Sequence, residues 1–195
     1  MRVAIFASGN GTNFEILAQQ FLRKQIPGQL VLLFCDHPKA PVIERAQRLG
    51  INWESFTVKE CGDKAAYEQR ISQLLTAQKI DFIVLAGYLR VIGNGILDQY
   101  PQRIINLHPA YLPEYPGLHS IERALADGRK QTGVTIHYVD AGLDSGPIIT
   151  QQRVPILPTD TLESLETRVH ACEHQLYPQV VKQLLTVFEK KEKNQ

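Results

Sequence analysis

Two hydrophobic periods alternate along the first half of the chain. Short, nearly unbroken apolar runs at 3–7, 30–35, 82–86 and 103–107 have the length and composition of strands buried on both faces. Between them, 13–24 and 41–49 carry the 3.6-residue period of amphipathic helices. So does 63–78, where Asp63 is placed to cap the start and Tyr67, Ile71, Leu74 and Leu75 share one face. Strands alternating with helices imply right-handed crossovers and a mostly parallel sheet. The pattern then changes. Segments 133–139 and 147–155 read as two strands joined by a Gly- and Asp-rich connection, the arrangement of an antiparallel appendage. A long helix is predicted over 161–189, with Pro178 able to kink or break it, and 190–195 reads as a solvated tail. The predicted fold class is α/β: an open, mostly parallel, twisted sheet flanked by helices, with antiparallel C-terminal strands and a long C-terminal helix.

Composition narrows the function. A length of 195 residues suits one domain. The net charge of +1 supplies no broad positive field, which argues against nucleic acid as a partner. No apolar run approaches the ~20 residues that span a bilayer, and the first strand runs into a glycine turn without the form of a signal peptide. Three cysteines, Cys35, Cys61 and Cys172, form no CxxC pair, so a disulfide framework or a structural zinc site is not expected. A reduced, cytoplasmic protein acting on small molecules is the expectation, as a monomer or homodimer.

Three clusters carry candidate chemistry. Strand 3–7 ends in Ser8-Gly9-Asn10-Gly11-Thr12-Asn13 and opens a helix. Free N–H groups at such a start attract an anion such as phosphate, although a plain β–α turn needs the same glycines. The loop matches neither GxGxxG nor the Walker A pattern. In the second cluster, Asn106 and His108 are two residues apart on one side of a strand, near its carboxyl end, where open α/β sheets bind ligands. An amide beside an imidazole suits the oxyanion and proton transfers of acyl transfer; a buried, backbone-satisfied polar pair is the plainer alternative. A proline-rich loop, 109–119, follows, with a helix expected from about Gly117. His119 at that start reads as structural. In the third cluster, Asp140-Ala141-Gly142-Leu143-Asp144-Ser145-Gly146-Pro147, the two carboxylates are either Asx-turn makers or a partner holding a histidine protonated. His170-Ala171-Cys172-Glu173-His174 also fits the H-x-x-E-H zinc pattern, but only 21 residues follow His174, so no metal is expected.

In this order and spacing, Ser-Gly-Asn-Gly-Thr-Asn at 8–13, Asn-Leu-His-Pro at 106–109, Leu-Pro-x-Tyr-Pro-Gly-Leu-His at 112–119 and Asp-x-Gly-x-Asp-x-Gly-Pro at 140–147 resemble the phosphoribosylglycinamide formyltransferase family over nearly the whole chain. The resemblance implies a Rossmann-like formyltransferase fold in one domain, 1–195, with a phosphate-loop half (1–100) and a catalytic and folate-binding half (101–195). It implies formyl transfer from 10-formyltetrahydrofolate, a co-substrate rather than a tightly bound cofactor, to the amine of glycinamide ribonucleotide. Asn106, His108 and Asp144 match the catalytic trio. Gly11, Thr12 and Asn13, with His170, Ala171, Cys172 and Glu173, match the ribonucleotide site. Lys64, Leu89, Arg90, Val91 and Ile92, together with Asn106 and Asp140, Ala141, Gly142, Leu143 and Asp144, match the folate site. Ala110 stands where relatives commonly have Ser, and Lys64 where some have Arg; lysine keeps the charge without the bidentate fork. Two alternatives are a formyltetrahydrofolate deformylase, which would carry an added N-terminal domain, and a non-catalytic nucleotide-binding module, which leaves Asn106, His108 and Asp144 unused.

Overall fold

A computed structural model describes residues 1–193. Strand β1 (Arg2–Ala7) leads through α1 (Thr12–Leu22) to β2 (Gln29–Cys35), α2 (Pro41–Leu49) and β3 (Trp53–Ser55). After α3 (Val58–Cys61) and α4 (Lys64–Ala77), the chain returns to the other side of β1 as β4 (Phe82–Leu85). Then follow α5 (Asn94–Leu97), β5 (Ile104–His108), α6 (Ser120–Ala126), β6 (Gln131–Tyr138), β7 (Ile148–Pro155) and α7 (Leu162–Lys193). The sheet order is β3-β2-β1-β4-β5-β6-β7. The first five strands pair in parallel, and β6 and β7 add antiparallel to the β5 edge. Strand order reverses between β1 and β4, so their loops part and leave a crevice above the strand ends.

Strands β1, β2, β4 and β5 are buried on both faces because their residues alternate between two apolar layers. Val3, Ile5 and Ala7 pack with Phe14 and Leu17 of α1, Val42 of α2 and Tyr177 and Val181 of α7. Ala4 and Phe6 face the other way, onto Phe34, Tyr67, Ile71 and Leu75. Asp63 caps α4 as predicted, its side chain accepting from Ala66 N–H at 2.8 Å, while Leu74 is partly buried beside the fully packed Tyr67, Ile71 and Leu75.

Departures from the sequence expectation have local causes. The elements β3, α3 and α5 span three or four residues, too few to show a period. Helix α6 starts at Ser120, not near 117, because Gly117 and His119 adopt positive φ (76° and 57°). Helix α7 forms as the long helix expected and passes through Pro178 without ending. Proline in a helix interior costs about 3 kcal/mol, but Leu165, Val169, Tyr177, Val181 and Leu185 are all buried along this helix, each contributing on the order of 1.5–3 kcal/mol. Tyr177, beside the proline, also donates to the Leu85 carbonyl at 2.8 Å. Of the expected solvated tail, Lys190 and Lys191 are exposed on the last turns of α7, and residues 194–195 lie outside the described residues. Among the described residues, no helix is long and apolar enough to cross a membrane.

Candidate active site

A cavity of about 590 Å³ opens at the carboxyl ends of β4 and β5, within the range of small-molecule sites. Leu89, Arg90, Val91 and Ile92 form one wall; Asp140, Gly142, Leu143 and Asp144 form another. Asn106 and His108, both on β5, project into it together, as the strand alternation requires. Leu89, Val91, Leu118 and Leu143 remain exposed at its rim, an apolar surface suited to a ligand with an apolar face.

The two aspartates of the 140–147 turn have separate roles. Asp140 is a turn maker: its Oδ1 accepts from Gly142 N–H (3.1 Å) and the Ser145 hydroxyl (2.9 Å). Asp144 sits at φ 52°, in the left-handed region, and turns its carboxylate inward. Its Oδ2 accepts from Gly117 N–H at 2.8 Å and lies 3.3 Å from His108 Nδ1. Its Oδ1 lies 3.3 Å from Asn106 Nδ2 and 3.6 Å from His137 Nε2. Burial pushes this carboxyl up, but the histidines His137 and His108 in their charged forms, with the Gly117 N–H, outweigh it, so it ionises below the ordinary carboxylate range.

His108 departs from the expectation that its aspartate holds it protonated. Burial lowers its pKa, and the Asp144 charge and the Tyr115 carbonyl oppose that fall without cancelling it. The ring therefore holds its second proton less readily than an ordinary imidazole. Its Nε2 is 2.8 Å from the Tyr115 carbonyl oxygen, so both ring nitrogens face groups that only accept. A proton arriving at His108 has partners already in place.

The loop after His108 is held from β6. Thr135, fully buried, donates to the Ala110 carbonyl (2.7 Å) and accepts from Leu112 N–H (3.1 Å) and the Gln151 side chain (2.9 Å). Neither Thr135 nor His137 was singled out from sequence. Their signal was faint: polar residues on a strand alternate, which ordinarily marks a solvent face.

A second polar cluster joins α1 to α7. Glu173, 2% exposed, accepts from Asn13 Nδ2 at 2.8 Å, and His170 Nδ1 lies 2.9 Å from the same oxygen. The Glu173 hydrogen bond raises the His170 pKa, against desolvation. Gly11 precedes α1 at φ 79°, and no side chain caps the helix start. Ala171 points to solvent and Cys172 into the core; neither side chain joins this cluster. The rings of His170 and His174 stack with centroids 6.4 Å apart, and among the described residues no group of three His, Cys, Asp or Glu side chains is placed to hold a metal.

Two further placements matter. Lys64 does not line the cavity; its ammonium lies 3.5 Å from Glu68 on the exposed side of α4. Arg90 is fixed from beneath by Asp36, a carboxylate with no exposure at the end of β2, through a 2.5 Å hydrogen bond.

Residues 1–181 match the formyl transferase family. The phosphoribosylglycinamide formyltransferase of Bacillus subtilis (strain 168) is 44% identical over 192 residues, 98% of either chain. That of Escherichia coli (strain K12) is 32% identical over 93% of this chain and 85% of its own. The crystal structure of phosphoribosylglycinamide formyltransferase from Bacillus halodurans superposes with a TM-score of 0.92, at 49% identity over 95% of both chains.

Proposed function

The chain belongs to the formyl transferase family, and from that premise we propose that its cavity transfers formyl from 10-formyltetrahydrofolate to the amine of glycinamide ribonucleotide, a step of purine biosynthesis. The observation that carries this reading is the convergence of Asn106, His108 and Asp144 at the floor of an apolar-rimmed cavity. The pterin end of the folate enters between 89–92 and 140–144. The ribonucleotide lies beside it, its phosphate on the N–H groups of Gly11, Thr12 and Asn13 at the start of α1, and its ribose towards Glu173 and His170. Lys64, which lies off the cavity wall, meets the folate's acidic tail only by leaving Glu68.

Holding both substrates side by side removes much of the entropic barrier. The neutral amine attacks the formyl carbon, forming the new C–N bond and a tetrahedral oxyanion. An Asn106 N–H meets that oxygen. His108, neutral beforehand, takes the proton the amine sheds, and the resulting imidazolium is held by Asp144. As the bond from carbon to folate N10 breaks, the proton passes to N10, with water as the relay. The Nε2–H of His108 reaches the oxyanion only when the Tyr115 carbonyl releases it, which ties the chemistry to the 109–119 loop. The halves 1–100 and 101–195 act as one domain, and the enzyme works in the cytoplasm on small molecules, with folate as a co-substrate.

The test mixes purified protein with 10-formyltetrahydrofolate and follows tetrahydrofolate release with and without glycinamide ribonucleotide. Release that requires the amine supports transfer. Equal release without it would mark a hydrolase.

A further inference from the structure

One well-connected polar side chain at the site has no part in the chemistry above. His137 stands on β6 directly across from Asn106 in the antiparallel register and is 2% exposed. Its Nδ1 lies 2.8 Å from the Tyr138 carbonyl oxygen. A carbonyl only accepts, so Nδ1 carries a proton. Its Nε2 lies 3.2 Å from the side-chain amide of Asn106.

The Asn106 amide is oriented independently by Asp144. Oδ1 of that carboxylate is 3.3 Å away and only accepts, so the amide presents its nitrogen, not its oxygen, on this side. His137 Nε2 therefore faces a donor and must itself accept. One form of the ring meets both demands: neutral, protonated at Nδ1, with a lone pair at Nε2. The 3.6 Å between Nε2 and Asp144 Oδ1 is too long for a hydrogen bond. It is short enough for both atoms to share a single N–H of the amide.

We infer that His137 is a positioning residue: as the Nδ1-protonated neutral ring it accepts one N–H of Asn106 and thereby turns the second N–H towards the formyl oxygen. The inference rests on the formyl-transfer reading. With the acceptor removed, the amide is held from one side only. It then pivots, and in the opposite orientation its oxygen opposes the developing negative charge. His137 touches neither substrate in this account; it works through Asn106.

Two measurements on the full-length protein test this. The first is imidazole ¹⁵N NMR of the ligand-free enzyme at neutral pH, with the His137 signals assigned by their loss in His137→Gln. The expected result is a protonated Nδ1 and an unprotonated Nε2; a protonated Nε2 overturns the inference. The second is steady-state kinetics of His137→Phe, which keeps a ring but loses the acceptor, and His137→Gln, whose carboxamide oxygen can accept. The Phe variant should lose roughly 10- to 100-fold in kcat, somewhat less than deletion of an oxyanion donor, with both KM values within about threefold. The Gln variant should recover most of that loss. A Phe variant with normal kcat, or a Gln variant as slow as Phe, contradicts the positioning role. If the wild type itself shows no amine-dependent turnover, the transfer reading fails on that result, and the spectrum still decides the hydrogen bond.

Discussion

Asp140 and Asp144 are identical side chains four residues apart in one turn, and their neighbours alone separate them. Asp140 is satisfied by its own turn, whereas Asp144 meets His108, Asn106 and the Gly117 N–H. Asp144→Asn keeps the shape and removes the charge, so kcat should fall about 100-fold, the scale of a lost acid–base contribution, with substrate dissociation constants changing far less. Adding His108→Ala should cost little more than the worse single variant, since residues acting as a unit are non-additive. The pH profile carries a sign. Burial lowers the His108 pKa and Asp144 opposes the fall, so the acid limb of kcat/KM, which reports the free enzyme, should lie below the ordinary imidazole value of about 6.5 in the wild type. In Asp144→Asn it should move further towards acid. A limb that stayed in place would uncouple the pair. That Asn106, His108 and Asp144 would converge was legible in sequence through the family motifs and the alternation of Asn106 and His108. The lowered basicity of His108 was not, because it depends on burial by segments distant in the chain. His137 was hidden for a related reason: its importance comes from standing opposite Asn106, and register across strands is not written in either strand alone.

At the scale of elements, the start of α1 is the part where conformation and function meet most tightly. Gly11 has φ 79°, and a Cβ there would lie 2.3 Å from Val42 Cγ2 and 2.6 Å from Val42 Cβ. Gly11→Val must therefore displace α2 or the loop itself, with strain of about 2–3 kcal/mol and a Tm lower by roughly 5–10 °C for a chain of this size. Kinetically, KM for glycinamide ribonucleotide should rise at least about tenfold, as expected when helix N–H groups leave their anion, while KM for the folate stays within about twofold. A rise confined to the folate constant would remove the phosphate from this helix start. The long elements were legible because their periods are long: β1, β2, β4, β5, α1, α2, α4 and α7 all fall within a few residues of their expected bounds. The misses have physical sources. Three-residue β3 shows no alternation, and left-handed residues delay α6.

At the scale of the whole molecule, the division into a phosphate-loop half and a catalytic half does not describe how the sites are assembled. Segment 89–92 of the first half lines the same cavity as Asn106 and Asp144, and Asn13 is joined to Glu173 across 160 positions of sequence. Both crossings follow from the sheet order, which sets β4 between β1 and β5 and lays α7 against α1. The H-x-x-E-H pattern on α7 is absorbed by that second contact, since Glu173 is taken up by Asn13 and His170. Dialysis against a strong chelator should accordingly leave kcat unchanged; activity lost on chelation and restored by zinc would return the motif to the chemistry. The central claim, that one cavity passes a formyl group directly between two small substrates, is tested most directly by following the carbon itself. Enzyme supplied with glycinamide ribonucleotide and 10-formyltetrahydrofolate carrying ¹³C in its formyl group can be read by NMR. The account predicts that the label appears in the N-formyl amide of the ribonucleotide, in step with tetrahydrofolate release, and label recovered as free formate at the same rate with or without the ribonucleotide would contradict it.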